Sequence, residues 1–229
     1  FSTIVLATGN PHKVAELRAI FAQELAGACV RVLGLADLPG GAPEFVEPAE
    51  TGTTFEANAR IKALSYAAQC GRVCLADDSG IEIDALGAAR DSAPRPGVIS
   101  SHYSTDGRET GASRVERDAA NNARVLRELE GVATARRAAR FVCCMCLVVP
   151  GADGAEGKIV HETRGTFEGR IGSPPEVPCG ANGFGYDPLF LVAPAFAVTA
   201  AALGAEEKNR VSHRAAAARK MAGFFRSEG

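Results

Sequence analysis

Residues 75–84 read Leu-Ala-Asp-Asp-Ser-Gly-Ile-Glu-Ile-Asp, and the rest of the chain is organised around this stretch. Apolar residues run into the adjacent carboxylates of Asp77 and Asp78; a Ser-Gly turn and then an alternating strand over Ile81–Asp84 are predicted to follow. Two carboxylates at the end of a buried strand are unfavourable unless positive charge offsets them. A hard divalent cation with oxygen ligands would supply that charge. The alternative is a solvated turn, because Asp, Ser and Gly are common turn residues.

The composition indicates a globular protein and excludes several classes of partner. The chain has 229 residues, 46% hydrophobic and 23% charged, with a formal net charge of −2. That charge gives no general attraction to nucleic acid or to an anionic membrane, so neither is expected as a partner. No apolar run approaches the roughly 20 residues of a membrane helix, and the N-terminus has no basic region typical of a secretory signal. Seven scattered cysteines suit a reducing cytoplasm, and Cys143, Cys144 and Cys146 are predicted to be core thiols.

The N-terminal segment predicts a strand, a polar loop and a helix. The strand covers Thr3–Ala7, and the helix carries an apolar stripe that includes Leu17 and Phe21. Backbone N–H groups and the positive end of the helix dipole meet at such a junction, and Lys13 adds a cation, so a phosphate could bind there. The alternative is that Asn10-Pro11 only caps the helix. The candidate phosphate-binding residues are Thr8, Gly9, Asn10, Pro11, His12 and Lys13.

A second helix is predicted to open with the capping box Thr53–Glu56. Its predicted buried stripe consists of Ala57, Ile61, Leu64 and Ala68. Asn58 and Lys62 lie four residues apart on another face, so they could point together into a cleft or simply be solvated. The preceding loop carries Glu47 and Glu50, whose carboxylates could reach a metal.

The second half of the chain predicts a third helix, antiparallel strands and a glycine-rich aromatic segment. The third helix is expected to bury Val115, Ala119, Asn122, Leu126 and Leu129. The strands are predicted over Phe141–Val149, Lys158–Arg164 and Gly165–Ile171. Glycines flank Phe184, so its ring could stack on a purine base or belong to the core. A last helix is predicted over Ala215–Phe225, with Ser212 as its N-cap. The cations of His213 and Arg214 at its start indicate an anionic or acceptor-bearing ligand.

Five segments, in order along nearly the whole chain, resemble the inosine triphosphate pyrophosphatase family, also called Ham1-like. The matching segments are Thr8-Gly9-Asn10 with Lys13 and Glu16; Glu50-Thr51-Gly52 with Thr54–Ala59 and Lys62-Ala63; Ala76–Gly80; Gly183–Phe190; and Lys208 with Ser212-His213-Arg214.

The resemblance implies a role for each matching residue. Thr8 to Lys13 would hold the phosphates. Asp78 would be the catalytic acidic residue, acting as a Mg²⁺ ligand, as a general base or as both. Asp77 would lie beside it, and Ser79 would touch the substrate. Phe184 would stack on the base, next to Gly185, Tyr186 and Asp187. Lys208, His213 and Arg214 would complete the pocket, the last two near the purine 6-position.

The resemblance also implies a fold, a cofactor and an assembly. We expect a single α/β domain over residues 1–229, with an elongated mixed sheet, flanking helices and two lobes around a central cleft. The family is Mg²⁺-dependent and homodimeric. This chain departs from the family pattern in a longer loop over Gly87–Gly97, in His102 where an Arg is usual, and in Ala49 where a second acid is usual. The second metal ligand would therefore be Glu50 or Glu47.

The implied activity is hydrolysis of inosine, deoxyinosine and xanthosine triphosphates to a monophosphate and pyrophosphate, which clears deaminated purines from the nucleotide pool. Lys13 and Lys208 would stabilise charge on the leaving pyrophosphate. Two alternatives stay open at this point. One is a pyrophosphatase for other altered bases, and the other is a nucleotide sensor that binds without hydrolysis.

Overall fold

The computed structural model describes residues 2–26, 30–87, 94–152 and 155–227. The helices are α1 (Pro11–Glu24), α2 (Phe55–Cys70), α3 (Arg114–Glu128), α4 (Ala205–Val211) and α5 (His213–Ser227). The strands are β1 (Thr3–Leu6), β2 (Arg31–Gly34), β3 (Cys74–Ile83), β4 (Arg95–Pro96), β5 (Ala138–Val149), β6 (Lys158–Ile171) and β7 (Phe190–Val192).

The described strands form one mixed sheet. Its order is β2-β1-β3-β5-β6-β7, with β4 paired to β3. β1 runs parallel to β2 and to β3, whereas β4 and β3, and likewise β6 and β7, are antiparallel. The predicted α/β class with a mixed sheet and flanking helices is therefore confirmed.

The chain divides into two compact units, and β3, β5 and β6 each pass from one into the other. Unit 1 consists of Phe1–Ser79, Cys143–Gly165 and His213–Gly229. Unit 2 consists of Gly80–Val142 and Thr166–Ser212. The single two-lobed domain and its central cleft stay predictions.

Unit 1 packs helices on both faces of its strands. Side chains alternate between the faces of a strand. Ile4 and Leu6 of β1 therefore pack with α1 and α5, while Val5 and Ala7 pack with α2. The cysteines of β5 follow the same alternation and are buried, as predicted. Burying each large aliphatic side chain stabilises the fold by about 1.5–3 kcal/mol.

Unit 2 has its own core, which is rich in aromatic residues. Phe190 packs against Phe141 and Phe167, with ring centroids 4.7 and 5.4 Å apart. Helix α3 adds Val125 and its C-cap residue Leu129, both fully buried. The helix begins with Ser113 as its N-cap and Glu116 completing a capping box, which fixes the position of its first turn.

The predicted buried stripe of α2 is wrong, and in that of α3 Leu129 is fully buried as predicted but the other positions are not. On α2, the buried positions are Phe55, Asn58, Ala59, Lys62, Ala63, Tyr66 and Ala67 rather than the predicted stripe. The polar side chains of Asn58 and Lys62 face inward because they contact acidic residues there: Asn58 contacts Asp78, and Lys62 contacts Asp78 and Glu50. On α3, Asn121 and Val125 are buried, whereas Val115 is 79% exposed. Both helices are rich in small or polar residues, so their apolar residues mark the buried face poorly.

Two predicted strand boundaries also differ from the structure. No turn interrupts residues 79–80, because β3 continues through them, and residues 158–171 form one strand rather than two. The last helix begins at His213 rather than at residue 215, and Ser212, the C-cap residue of α4, directly precedes it, so its role as N-cap stays a prediction. Residues 88–93 of the long loop, and Cys29, lie outside the described residues. Among the described helices, none has the length and apolar character to span a membrane.

Candidate active site

Two adjacent carboxylates lie in the interior of β3 within unit 1. Asp77 and Asp78 are 4% and 8% exposed. Successive strand residues face opposite sides of a sheet, and the two side chains accordingly meet different partners. Each carboxylate is contacted by at least one cation, which offsets the cost of burying its charge.

Asp77 is held by cations from the two ends of the chain. Lys13 donates to Asp77 Oδ2 at 3.0 Å, and Arg214 Nε lies 3.7 Å from the same oxygen. Burial alone would raise the pKa of Asp77, but the surrounding positive charges outweigh it and hold the pKa well below its ordinary value. Asp77 therefore stays ionised. Its other oxygen, Oδ1, is buried and has no hydrogen-bond partner among the described residues.

Asp78 has a different environment, provided by α2. Lys62 donates to Asp78 Oδ1 at 3.0 Å, and Asn58 Nδ2 donates to Oδ2 at 3.2 Å. Lys62 also donates to Glu50 Oε1 at 3.2 Å, so one ammonium joins two carboxylates. Burial raises the pKa of Asp78 despite the opposing charge of Lys62, and the nearby Glu50 raises it further. The neighbouring carboxylates thus have pKa values pushed in opposite directions, an arrangement that suits acid–base chemistry.

The predicted phosphate loop connects β1 to α1. Asn10 is the N-cap of α1, and its Oδ1 accepts from the backbone N–H groups of His12 at 3.0 Å and Lys13 at 3.4 Å. The capping alternative is therefore realised in the structure. A phosphate at this terminus would have to displace the Asn10 side chain or use other groups. Thr8 Oγ1 accepts from Asn10 N at 3.2 Å, and a Cβ added at Gly9 would meet nothing within 4 Å. The space beside Gly9 is therefore open.

Arg214 and His213 open helix α5 as buried residues, 4% and 6% exposed. Arg214 Nη1 donates to Glu16 Oε2 at 3.0 Å, and Nη2 donates to Ser79 Oγ at 2.9 Å. The guanidinium is thereby fixed next to the Asp pair, and it positions the Ser79 hydroxyl. The negative charges of Glu16 and Asp77 offset the unfavourable placement of this cation at a helix N-terminus.

Two carboxylates of unit 1 could hold a hard divalent cation. Within the described residues, no group of three or more His, Cys, Asp or Glu side chains is arranged to enclose a metal. Mg²⁺ commonly needs only one or two protein carboxylates and completes its shell with waters and substrate phosphates. Asp78 and Glu50, linked through Lys62, provide such a pair of hard oxygen donors. Glu47 and Glu50 are both exposed, and Glu50 is the one that contacts the Lys62 ammonium.

Unit 2 contains Phe184, the residue predicted to stack on the base. The ring of Phe184 is 39% exposed, which is unusual for a large apolar side chain. Gly183 and Gly185 on either side have positive φ angles of 79° and 63°. A Cβ at Gly183 would lie 2.1 Å from Asp187 Oδ2, so only glycine fits there.

Buried polar contacts hold the residues that follow Phe184. Asp187 Oδ2 accepts from Phe184 N at 2.8 Å and also pairs with Lys208. The Lys208 ammonium lies 5.4 Å from the centre of the Phe184 ring. The Tyr186 side chain is 4% exposed, and its hydroxyl donates to the carbonyl of Ser100 at 2.6 Å. Tyr186 therefore anchors the segment to the core of unit 2.

Several residues that the structure places in these clusters were not among the predicted site residues. In unit 1 they are Asn58, Lys62 and Glu16. The four-residue spacing of Asn58 and Lys62 was the available signal, whereas Glu16 carried none beyond its place in a family motif. In unit 2, Arg114 and Asp118 of α3 approach the Phe184 segment, and their polar helix face gave no indication of it.

The fold and these clusters define a class of protein. It is an α/β protein whose mixed sheet carries adjacent buried carboxylates, one with a raised and one with a depressed pKa, surrounded by lysine and arginine.

Comparison with known proteins identifies the family. The Ham1 family profile matches residues 4–224, and the chain belongs to this family. It is 45% identical over 220 residues to the dITP/XTP pyrophosphatase of Nitratidesulfovibrio vulgaris, covering 96% of this chain and 94% of the relative. It is 42% identical over 223 residues to the dITP/XTP pyrophosphatase of Frankia alni, covering 97% and 96%. The solved structure of a HAM1 protein from Coxiella burnetii is similar, with a TM-score of 0.76 and 35% identity, covering 99% of this chain and all of that one.

Proposed function

We propose that this protein hydrolyses the triphosphates of deaminated purines, namely inosine, deoxyinosine and xanthosine triphosphates, to the monophosphate and pyrophosphate. The relatives named above are dITP/XTP pyrophosphatases and align over almost the entire chain. The observation that carries the proposal is the buried Asp77–Asp78 pair in contact with Lys13, Lys62 and Arg214. Such a cluster suits a substrate that brings several negative charges and needs a water activated beside them.

Asp78 is the proposed catalytic residue. Its pKa is raised by burial and by Glu50, so its carboxylate is a better proton acceptor than an ordinary aspartate. We assign it the proton of the attacking water, with attack at the α-phosphorus. Lys62 and Asn58 fix the carboxylate from both sides. Asp77, which stays ionised, orients Lys13.

Lys13 is proposed to stabilise negative charge on the phosphates and on the departing pyrophosphate. Its ammonium pairs with Asp77 and its side chain is 19% exposed, so we assign it contact with a substrate phosphate while it keeps this partner. The loop 8–13 is proposed to contribute further phosphate contacts, and Ser79 to touch the substrate. Lys208 of unit 2 is proposed to act as a second phosphate cation.

Asp78 and Glu50 are the residues proposed to hold Mg²⁺. When bound, the ion would offset phosphate charge and polarise the phosphorus–oxygen bonds. Asp78 and Glu50 would hold the ion, and Lys62 contacts both carboxylates and fixes their positions. The pKa of Lys62 is raised because the charges of its acidic neighbours outweigh its burial, so it stays protonated near neutral pH.

In unit 2, Phe184 is proposed to stack on the purine, with Gly185, Tyr186 and Asp187 fixing its segment. Selection of a 6-oxo purine requires hydrogen-bond donors, a role proposed for His213 and Arg214. The 6-amino group of adenine would leave such donors unpaired, and sites built in this way reject the wrong base strongly. A homodimer in the cytoplasm is also proposed.

The test is a panel of inosine, xanthosine, guanosine and adenosine triphosphates together with altered pyrimidine triphosphates, assayed for pyrophosphate and for phosphate, with Mg²⁺ or with a chelator. We expect pyrophosphate and monophosphate from the inosine and xanthosine substrates, little from adenosine triphosphate, and none without the metal. Equal activity on altered pyrimidine triphosphates would identify a different pyrophosphatase. Tight binding of inosine triphosphate without hydrolysis would identify a sensor, and stepwise release of phosphate would rule out attack at the α-phosphorus.

A further inference from the structure

Two side chains of helix α3 hydrogen-bond to the backbone of the segment that carries Phe184. Asp118 Oδ2 accepts from the backbone N–H of Gly185 at 2.9 Å, and Asn122 Nδ2 donates to the carbonyl of the same glycine at 3.0 Å. The two side chains are four residues apart and so share one helix face. Both backbone polar groups of a single glycine are thus held by one rigid element.

The same helix face reaches the aromatic ring. Arg114 lies one turn before Asp118, and its guanidinium carbon is 4.2 Å from the centre of the Phe184 ring, within the range of a cation–π contact. Arg114 Nε is 3.9 Å from Asp118 Oδ2. Asp118 therefore contacts the backbone after Phe184 and also orients the arginine that lies over its ring.

These hydrogen bonds from α3 are needed because the Phe184 segment has little intrinsic rigidity. Glycines on both sides have positive φ angles and no side chains to restrict them. Within the segment, Asp187 fixes Phe184 N at 2.8 Å. The contacts from α3 hold Gly185, the residue that follows Phe184, so the backbone is fixed on both sides of the ring. A ring fixed on both sides loses less conformational freedom when a flat ligand stacks on it.

We infer that Asp118 and Asn122 are positioning residues for base recognition: by holding Gly185, they preset the Phe184 ring for stacking. The inference rests on the proposed stacking role of Phe184. Neither residue is assigned to phosphate binding or to the chemical step. Their loss should therefore weaken binding of substrates that carry a base and leave the turnover of bound substrate unchanged.

The first test compares Asp118→Ala with Asp118→Asn. Alanine removes the acceptor for Gly185 N–H, and we expect KM for inosine triphosphate to rise about tenfold, the value of one charge-assisted hydrogen bond, with kcat changed less than about twofold. The amide oxygen of asparagine can still accept that hydrogen bond, so Asp118→Asn should recover most of the affinity. Arg127→Ala, which removes an exposed charge from the same helix, is the control.

Inorganic tripolyphosphate has no base, so its use as a competitive inhibitor distinguishes an effect on base binding from an effect on phosphate binding. Its inhibition constant should be the same for wild type and Asp118→Ala. A parallel weakening of tripolyphosphate, or an equal loss of kcat, would overturn the inference, because either would indicate a general structural defect. Thermal melting of each variant verifies that it is folded. If Asp118→Ala is not folded, the kinetic comparison is made with Asp118→Asn instead.

A double-mutant cycle with Phe184→Ala distinguishes this inference from the proposed function. If Asp118 acts through the ring, Asp118→Ala should change KM by less than about twofold once the ring is absent. An undiminished effect in that background would overturn the positioning role and leave the stacking role intact. If Phe184→Ala alone left KM unchanged, the stacking role itself would fail, and this inference with it.

Discussion

Replacing Lys62 with methionine tests the electrostatic account of unit 1 most severely. Methionine keeps most of the volume of the side chain and removes its charge. The Lys62 ammonium is 3.0 Å from Asp78 Oδ1 and 3.2 Å from Glu50 Oε1. At an effective dielectric constant of about 20, each contact is worth about 5 kcal/mol before the cost of burying the charges is subtracted. Glu50 is 35% exposed, so water screens its share.

The net destabilisation follows from what the substitution leaves behind. Asp78 would remain buried, with Asn58 as its nearest remaining donor. Removing one partner of a buried ion pair typically costs about 3–5 kcal/mol. For a chain of this size that corresponds to a fall in Tm of about 6–20 °C. The defect should shrink as the pH falls, because protonation of Asp78, whose pKa is already raised, removes the uncompensated charge.

Urea unfolding followed by circular dichroism, at neutral and mildly acidic pH, measures the effect. Lys158→Met is the matched control, since Lys158 is exposed at the start of β6; it should change the free energy of unfolding by less than about 0.5 kcal/mol. If Lys62→Met were as stable as this control at neutral pH, the ammonium would contribute nothing net to holding the carboxylates, and the reasoning would be wrong.

Three further predictions follow from the described environments. The pKa values of all three tyrosines are raised by burial, that of Tyr103 to about 12. Tyrosinate absorbance should therefore stay low in the folded protein past the ordinary value of about 10, and stability should fall as the pH rises from about 10 towards 12; normal titration without unfolding would contradict this. The thiol of Cys70 lies 3.5 Å from that of Cys74, a contact that lowers the pKa of Cys70 to about 6. Iodoacetamide at neutral pH should modify Cys70 before the exposed Cys179, as peptide mass spectrometry would show; the reverse order would refute the thiolate assignment. Phe184→Ala should raise KM for inosine triphosphate about 5- to 150-fold, equivalent to roughly 1–3 kcal/mol of stacking, and an unchanged KM would remove Phe184 from the site.

The fold could be predicted from the sequence where local patterns and tertiary packing agree. The strand–loop–helix unit at the N-terminus is one example, because the apolar stripe of α1, including Leu17 and Phe21, is the face that packs into the core. The class of the fold followed from the order of such elements. The loop over residues 8–13 was identified in the same way, although its Asn10 side chain occupies two of the N–H groups expected to meet phosphate.

The partners of the acidic pair could not be predicted, because they come from distant parts of the chain. Asp77 meets Lys13 from 64 residues away, and Ser79 meets Arg214 from 135 residues away. A sequence pattern that does not include those cations predicts a turn at the Asp pair. In the structure the cations offset the two buried charges, and β3 continues through both residues. The same effect reversed the predicted face of α2, where the polar Lys62 is buried because Asp78 lies beneath it.

The contacts of α3 were equally hidden from the sequence. Asp118 and Arg114 lie on a helix face that a solvated surface would also produce. Their partner is the backbone of Gly185, and no side-chain pattern marks a backbone group as a partner.

The most direct test of the central claim is single-turnover pyrophosphate release from inosine triphosphate by Asp78→Asn in the presence of Mg²⁺. Asparagine has the same shape but cannot accept the proton of the attacking water. Asp106→Asn, at an exposed position in unit 2, is the control. The rate for Asp78→Asn should be about 10²–10⁴-fold below wild type, in a protein that still folds and still binds the nucleotide. Release within about twofold of the wild-type rate would contradict this expectation.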